Sequence, residues 1–263
     1  MMQQDLYYDE IRSSFICTGV VAAKIKKESS PEWNAAKGCG DSILINLNKR
    51  VFAIADSPDW NQSASTSFLK AFNGWLHDNV FDEEHSILWN GKRDDYEIKV
   101  VEGINRLINN VDYLSPTTFS CLMIIPQYEN KLKGLILHCG DSCIFKVDIK
   151  RKYISLTSRT NFSLIGRTRQ LSQVEYVEID ENTRFMLCSD GIYALTRGNK
   201  KLEQLILDCF EMHELDAIPD ILIGSHFEGI QYNDDISILA VDPNMLLGKS
   251  YNNCTLIYNG IQL

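Results

Sequence analysis

Residues 185–191 read Phe-Met-Leu-Cys-Ser-Asp-Gly, four apolar residues that lead directly into a polar turn. Such a run, bounded by a turn, is typical of a buried β-strand and predicts a strand over 184–188. Asp190 then follows the end of a buried strand, where an unpaired carboxylate is costly because low dielectric disfavours its charged form. Taken alone, Ser189-Asp190-Gly191 also fits an ordinary turn.

Other aspartates occupy the same kind of position, at the start or the end of a predicted strand. They are Asp41, Asp56, Asp141, Asp234 and Asp235. Carboxylates gathered at strand ends can stay ionised together if they share a divalent cation. A set of hard oxygen donors without a His or Cys cluster suits Mg²⁺ or Mn²⁺. Each motif alone is also typical of a turn or a helix cap. The prediction of a metal site therefore rests on the occurrence of all these aspartates together, in this order and spacing.

Strands occur in runs along this chain and helices occur in pairs. Apolar spacing predicts helices over 66–80, 96–111, 200–213 and 215–224. Strands are predicted over 42–47, 51–55, 119–125, 134–138, 143–147, 153–156, 175–179, 184–188 and 236–241. The segments 175–179 and 184–188 are predicted to form a pair joined by the turn Asp180-Glu181-Asn182. This order favours an α+β fold, a layered sandwich of antiparallel sheets with helices outside, over strict βαβ alternation.

Composition excludes several classes of protein. The chain has 263 residues, of which 44% are hydrophobic and 23% charged, as in ordinary globular proteins. Its formal net charge of −9 argues against binding nucleic acid or anionic membranes through its overall field. No apolar run approaches the roughly 18 residues of a membrane span, and no signal peptide is visible. Eight cysteines without a Cys-x-x-Cys pair indicate reduced thiols, and the predicted location is the cytoplasm.

The order of these blocks resembles the metal-dependent type 2C (PPM-type) serine/threonine protein phosphatases, over residues 15–242. Three stretches carry the resemblance: Cys139-Gly140-Asp141-Ser142, Phe185-Met186-Leu187-Cys188-Ser189-Asp190-Gly191 and Asp234-Asp235-Ile236-Ser237-Ile238-Leu239. They look like the family's Gly-Asp-Ser, Ser-Asp-Gly and Asp-Asn-(Ile/Leu)-Thr blocks. The resemblance implies a four-layer α-β-β-α sandwich of two mostly antiparallel sheets flanked by helices, with metals in a cleft at one edge of the sheets.

The resemblance also implies a set of metal ligands. Asp56 would bridge two Mn²⁺ or Mg²⁺ ions, and Asp190 and Asp234 would complete the protein ligands of the first ion. These three are the implied catalytic residues. The backbone carbonyl of Ser57 would bind the second ion, and Asp41 would serve that ion through water.

Asp141 would correspond to a third, weaker metal site. The implied reaction is hydrolysis of phosphoserine or phosphothreonine in a protein substrate. A metal-bridged water would attack the phosphorus in line, and a general acid would protonate the leaving alkoxide. No Cys or Ser nucleophile is required. His138 stands next to the Cys139-Gly140-Asp141 block and could approach the site, although it also fits a packed strand position.

Several blocks depart from the family pattern, which indicates a divergent member closer in style to bacterial ones. The family's Asp-Gly-x-Gly-Gly is here Asp56-Ser57-Pro58-Asp59-Trp60, and its Glu-Asp pair is Gly40-Asp41. The phosphate-binding Arg of eukaryotic members has no match; Ala36 stands about there, next to Lys37. The Gly-(Ser/Thr)-Thr-Ala block is present only as Pro116-Thr117-Thr118-Phe119-Ser120, and the Asn of the last block is Asp235.

Three other functions stay open at this point. A non-catalytic phosphatase-like domain would sense or scaffold, as the missing Glu, Arg and glycines suggest, but Asp56, Asp190 and Asp234 are all retained. A haloacid-dehalogenase-like enzyme would use Asp56 as a nucleophile, but Pro58 stands where its second aspartate belongs. The third is a plain ligand-binding α+β domain with an incidental acidic edge.

A single catalytic domain is predicted over 1–245, with 246–263 as a C-terminal appendix packed on it. The apolar groups Leu246-Leu247 and Leu256-Ile257-Tyr258 favour packing over disorder. Residues 24–38 are predicted to form a surface loop.

Overall fold

Two stacked antiparallel sheets form the centre of the fold. The computed structural model describes residues 6–13, 16–24, 39–58, 63–79, 93–110, 116–127, 129, 131–148, 152–159, 163–227, 234–249, 251 and 255–258. Within these ranges the strands are β1 (Leu6–Ser13), β2 (Cys17–Lys24), β3 (Asp41–Asn46), β4 (Val51–Asp56), β5 (Phe119–Pro126), β6 (Leu132–Cys139), β7 (Cys143–Asp148), β8 (Lys152–Ser155), β9 (Gln173–Ile179), β10 (Thr183–Cys188), β11 (Ile236–Val241) and β12 (Thr255–Tyr258).

Each sheet contains six of these strands. Sheet A has the order β1-β2-β11-β10-β7-β8, and sheet B has the order β12-β3-β4-β5-β6-β9. Every residue of β10 is buried, as its continuous apolar run predicts for a strand covered on both faces. The two inner faces meet in a core that includes Ile54 and Leu122 from sheet B and Phe185 and Leu239 from sheet A.

Helices cover the outer face of each sheet. They are α1 (Ser63–Asn79) and α2 (Arg93–Asn110) on sheet B, and α3 (Asp190–Gly198), α4 (Lys200–Met212) and α5 (Ile218–Phe227) on sheet A. Phe68 and Phe72 of α1 meet Phe119 of β5 edge to face, with ring centroids 4.9 and 5.0 Å apart. The layers therefore run helix, sheet, sheet, helix, which confirms the predicted α+β sandwich.

The predicted pairing of 175–179 with 184–188 is wrong. β9 pairs with β6 at the edge of sheet B, whereas β10 lies between β7 and β11 in sheet A. The burial of the two strands explains the difference, because β9 is mostly half-buried with two exposed residues and suits an edge, while β10 is buried along its whole length. The turn at 180–182 therefore carries the chain from one sheet to the other.

Four helices and strands were not predicted from the sequence: β1, β2, α3 and β12. The predicted 215–224 helix is a 3-10 turn at Leu215–Ala217 followed by α5. β12 pairs with β3 from Thr255↔Asn46 to Tyr258↔Ile43. The division of the chain at residue 245 stays a prediction, and residues 25–38 of the predicted loop lie outside the described ranges.

The described cysteines, seven in number, are buried and form no disulfide with one another. Among the described residues, no helix combines the length and the apolar character that a membrane crossing requires.

A buried ion pair joins the start of β10 to the end of β11. Arg184 Nε lies 2.7 Å from Asp242 Oδ2, and both side chains are 5% exposed. Arg184 Nη1 donates to the carbonyl oxygens of Glu181 and Thr183, each at 2.9 Å. Asp242 Oδ1 accepts from the Asn244 amide at 3.0 Å. Burial raises the pKa of Asp242 although Arg184 lowers it, so the pair does not fully offset the cost of desolvating the carboxylate.

Candidate metal centre

The hairpin β3–β4 brings two of the predicted site residues together. Asp41 begins β3 and Asp56 ends β4, and the two are register partners. The backbone at Asp56 is fixed from β5: its amide donates to Thr118 Oγ1 at 2.8 Å, and its carbonyl accepts from the Thr118 amide at 2.7 Å. The Thr117 hydroxyl donates to the same carbonyl at 2.8 Å. The Thr117-Thr118 pair therefore positions Asp56.

Sheet A supplies the second half of the site. Ser189 joins the end of β10 to β11, because its amide donates to the Ser237 carbonyl at 3.0 Å and its hydroxyl accepts from the Ser237 amide at 2.9 Å. Asp190 follows as the first residue of α3. A Cβ on Gly191 would lie only 2.2 Å from the Asp235 carbonyl oxygen, so this close approach requires glycine. The two sequence blocks are thus neighbours in space.

Contacts between the sheets complete the arrangement around Asp41. The Gly40 amide donates to Asp235 Oδ2 at 2.9 Å. Asp41 is 1% exposed, and neither of its carboxylate oxygens has a hydrogen-bond partner of normal geometry. Burial and the charge of Asp235 raise the pKa of Asp41 to about 8, while the nearby Ser189 and Ser237 hydroxyls act to lower it. A buried carboxylate without hydrogen bonds is the group that a bound cation would satisfy.

The remaining carboxylates perturb one another in the same region. Burial, followed by the charges of Asp41 and Asp190, raises the pKa of Asp56. Burial, followed by the charges of Asp141 and Asp234, raises the pKa of Asp190 to about 6. The charges of carboxylates from both sheets therefore act on one another in this region. Asp234 itself is exposed, and its Oδ1 accepts from the neighbouring Asp235 amide at 2.9 Å.

Ser57 and Gly40 form a close backbone contact beside Asp41 and Asp56. The Ser57 amide and hydroxyl both donate to the Gly40 carbonyl, at 3.0 and 2.9 Å. A Cβ on Gly40 would lie 2.2 Å from the Ser57 carbonyl oxygen. The backbone as it stands therefore leaves no room at position 40 for the glutamate of the family pattern. Asp59, Trp60, Ala36 and Lys37 lie outside the described ranges.

Asp141 stands where the chain crosses from β6 in sheet B to β7 in sheet A. Gly140 takes a φ of 113°, a region that favours glycine. A Cβ there would meet Thr118 Cβ at 2.8 Å. The Thr118 and Ser142 hydroxyls are hydrogen-bonded at 2.5 Å, which holds the crossing against β5. Burial and the charge of Asp234 raise the pKa of Asp141.

The donors present fit a divalent cation in chemistry and in burial. They are carboxylate oxygens, the preferred ligands of Mg²⁺ and Mn²⁺, and the buried Asp41 has no hydrogen bond. In the described part of the chain, no three His, Cys, Asp or Glu side chains are arranged as a ligand group. The assignment of individual ligands accordingly stays a prediction.

His138 lies inside the fold and is fully buried. Its Nδ1 is 2.8 Å from Ser120 Oγ, and its Nε2 is 2.7 Å from the Ser158 carbonyl, which can only accept. Both ring nitrogens therefore have partners within the fold, which matches the packed strand position. Asp235 is the site residue that sequence reasoning undervalued, because it stands where the family has Asn. Its carboxylate binds the Gly40 amide through a tertiary contact that the sequence does not reveal.

We expect Asp41→Asn to stabilise the metal-free protein at pH 8 by about 1–3 kcal/mol, because the neutral amide cannot ionise and so avoids the cost of a buried charge. An unfolded aspartate ionises at about pH 3.9, whereas folded Asp41 keeps its proton to about pH 8. The folded state binds the extra proton between these values, so wild-type stability falls as pH rises through them. Urea unfolding in chelator at several pH values checks this.

The matched control for this substitution is Asp208→Asn on α4, where the carboxylate accepts a hydrogen bond from Gln204 at 2.8 Å. We expect that change to stay within about 0.5 kcal/mol of wild type. An Asp41→Asn protein that is less stable than wild type at pH 8 would contradict the expectation.

The sequence matches no protein-family model and no curated protein. The structure resembles solved structures along most of its length. One is a bacterial serine phosphatase, at 12% identity and a TM-score of 0.59, covering 95% of this chain and 99% of that one. Another is the PPM Ser-Thr phosphatase MsPP from Mycobacterium smegmatis in complex with cacodylate, at 13% identity and a TM-score of 0.59, covering 88% and 99%. A third is the catalytic domain of the serine threonine protein phosphatase PstP in complex with two manganese ions, at 13% identity and a TM-score of 0.57, covering 90% and 99%.

At these identities the likeness shows a shared fold. It confirms the fold that the resemblance to PPM-type phosphatases predicts, because each neighbour is covered almost completely.

Proposed function

We propose that this protein is a metal-dependent phosphatase that hydrolyses phosphoserine or phosphothreonine in proteins. The observation that carries the proposal is the buried carboxylate of Asp41, which has no hydrogen bond and lies beside Asp56 of sheet B and Asp235 near sheet A. Burying such a group lowers the free energy of unfolding unless a cation occupies the site. The fold shared with solved serine/threonine phosphatases supports the reaction class.

The proposed ligands follow the resemblance. Asp56 would bind both Mn²⁺ or Mg²⁺ ions. Asp190 and Asp234 would hold the first ion, and the Ser57 carbonyl and, through water, Asp41 would hold the second. Asp141 is the ligand of a third, weaker site. The ions, when bound, supply an acidified water and offset the charge of the phosphoryl oxygens.

This chain's own residues orient that site. Thr117 and Thr118 fix the backbone of Asp56, and Ser189 locks the segment that carries Asp190 onto β11. The approach of Gly191 to the Asp235 carbonyl brings the start of α3 against the Asp234-Asp235 segment. Rigid support of this kind keeps a reactive geometry in place without reorganisation during the reaction. The proposal places the enzyme in the cytoplasm, where cysteines outside disulfides, such as the described ones, stay reduced.

A non-catalytic phosphatase-like sensor or scaffold is the second candidate. The close contact of Gly40 with Ser57 favours it, because the missing second-metal carboxylate has no space at that position. Such a domain could still hold one cation through Asp41, Asp56 and Asp190.

The experiment is hydrolysis of p-nitrophenyl phosphate and of a phosphoserine peptide with Mn²⁺, Mg²⁺ or chelator. We expect activity with metal and none with chelator, because the ions would offset the charge of the phosphoryl group and supply the acidified water. A thermal shift with each metal is measured alongside. A folded protein that binds metal but hydrolyses neither substrate supports the sensor, whereas a protein with neither property overturns both candidates.

A further inference from the structure

Two cysteines face each other across strands of sheet A. Cys143 begins β7 and Cys188 ends β10, and they are register partners in the antiparallel ladder. Partners in such a ladder have Cα atoms about 4.5 or 5.5 Å apart, according to the type of pair. Both separations fall within the roughly 4.4–6.8 Å that a disulfide spans. The strand register alone therefore makes this pair competent for a disulfide.

The side chains of the two cysteines also meet. Both belong to the fully buried apolar cluster between sheet A and its helices. Directly opposite residues on one face of an antiparallel pair have Cβ atoms about 4.5–5.5 Å apart, so the two side chains are neighbours. Among the cysteines that the structure describes, this is the one pair in register. Cys121 faces Leu137 and Ala53, for example, and Cys139 faces Phe119.

A cavity of about 160 Å³ has one member of this pair, Cys188, in its lining. Cys188, Phe145 and Met186 line it, and the exposed Arg197 and Lys200 stand at its rim. A single water needs only about 10–15 Å³ of such volume, so a molecule the size of hydrogen peroxide fits. The thiol of Cys188 is shielded from the surface, and its oxidation requires a small local opening at that end of the cavity.

We propose that Cys143 and Cys188 are a redox modification site that forms a reversible disulfide with hydrogen peroxide as oxidant. The sulfur of Cys188 attacks one peroxide oxygen; the O–O bond breaks, and the hydroxide that leaves takes up the thiol proton as water. The sulfur of Cys143 then attacks the resulting sulfenic acid, forming the S–S bond and breaking the S–O bond, and its proton leaves with hydroxide as a second water. The two cysteines together lose two electrons, which the peroxide gains.

The crosslink has a local structural consequence. Cys143 Sγ now donates to the Asp141 carbonyl at 3.4 Å, and a disulfide has no proton for that bond. Asp141 and Asp190 each lie two residues from the crosslink. The disulfide chemistry itself does not depend on phosphatase activity, so the two proposals can fail separately.

The test is a peptide map of the full chain, oxidised with hydrogen peroxide in chelator over minutes to hours, the range of protein disulfide formation. Remaining thiols are blocked in denaturant before digestion. Trypsin releases residues 134–146 and 185–197, and a protease that cuts before aspartate separates Cys139 from Cys143. We expect the peptides 141–146 and 185–189 to be joined without reductant and separate with it. Two of the eight thiols are then lost.

Substitutions make the assignment specific. Cys143→Ser and Cys188→Ser should each abolish the linked peptide, whereas Cys121→Ser, a buried cysteine of sheet B, should leave it unchanged. Oxidation of other cysteines with Cys143 and Cys188 still reduced would overturn the proposal. So would a sulfinic acid at Cys188 beside a free Cys143 thiol. Both outcomes are read in wild type, so a variant that does not fold leaves the test intact.

Discussion

Asp56→Asn is expected to lower kcat for p-nitrophenyl phosphate with Mn²⁺ by on the order of 10³-fold or more, since metal catalysis supplies several kcal/mol at about 1.4 kcal/mol per tenfold. Asp56 lies beside Asp41 in the β3–β4 register, and its pKa responds to the charges of both Asp41 and Asp190. A neutral amide there keeps the shape of the side chain and removes the charge that two cations would share. Steady-state kinetics over a range of metal concentrations measures the loss.

The matched control is Asp208→Asn, the same chemical change on α4. It should keep wild-type kcat and the same metal dependence. Thermal unfolding in chelator shows whether Asp56→Asn folds; we expect it to be at least as stable as wild type, because the substitution removes a buried charge. A folded Asp56→Asn protein within tenfold of wild-type activity would contradict the proposed site.

Asp242→Asn is expected to destabilise the fold by about 3–5 kcal/mol, the usual result of leaving one member of a buried pair unpaired. Arg184 is always charged, it is 5% exposed, and its Nε loses its carboxylate partner at 2.7 Å. The amide keeps an oxygen for the Asn244 amide, so the change isolates the charge. The difference in free energy of unfolding is measured by urea denaturation.

Two further variants test whether the loss of stability comes from leaving a buried charge unpaired. Glu129→Gln removes an ion pair with Lys131 whose side chains are 78% and 69% exposed, and it should cost no more than about 1 kcal/mol. The double substitution Arg184→Met with Asp242→Leu removes both charges, and it should be more stable than Asp242→Asn alone. If Asp242→Asn and Glu129→Gln lowered the free energy of unfolding equally, the buried ion pair would stabilise the fold no more than the exposed one.

Local pattern predicted much of the fold because strand ends are marked in the sequence. The apolar run before Ser189 and the hairpin at 41–56 are short apolar segments bounded by turn residues, a pattern that favours strands, and β10, β3 and β4 are present there. The helices over 66–80 and 96–111 follow from apolar spacing in the same way. These signals need only a few neighbouring residues.

What the sequence could not supply depends on distant contacts. β9 and β10 look alike as short extended segments, and only packing decides that they join different sheets. Ser189-Asp190-Gly191 fits a turn as well as the start of α3, because serine and aspartate are typical of both. The part that Asp235 plays beside Asp41 depends on the meeting of two sheets, which no local pattern encodes.

The division of the site between sheets has a consequence for how the molecule is held together. Asp41 and Asp56 belong to one sheet, and Asp190 and Asp235 adjoin the other. A cation bound by both groups would hold the two sheets together across the hydrophobic interface. Opening of the sandwich would then require release of the ion, so the two processes would form one linked equilibrium. Free metal at 100 times its dissociation constant would add about 2.7 kcal/mol to the closed form. Ambient metal concentration would then set the population of the closed sandwich as well as the occupancy of the site.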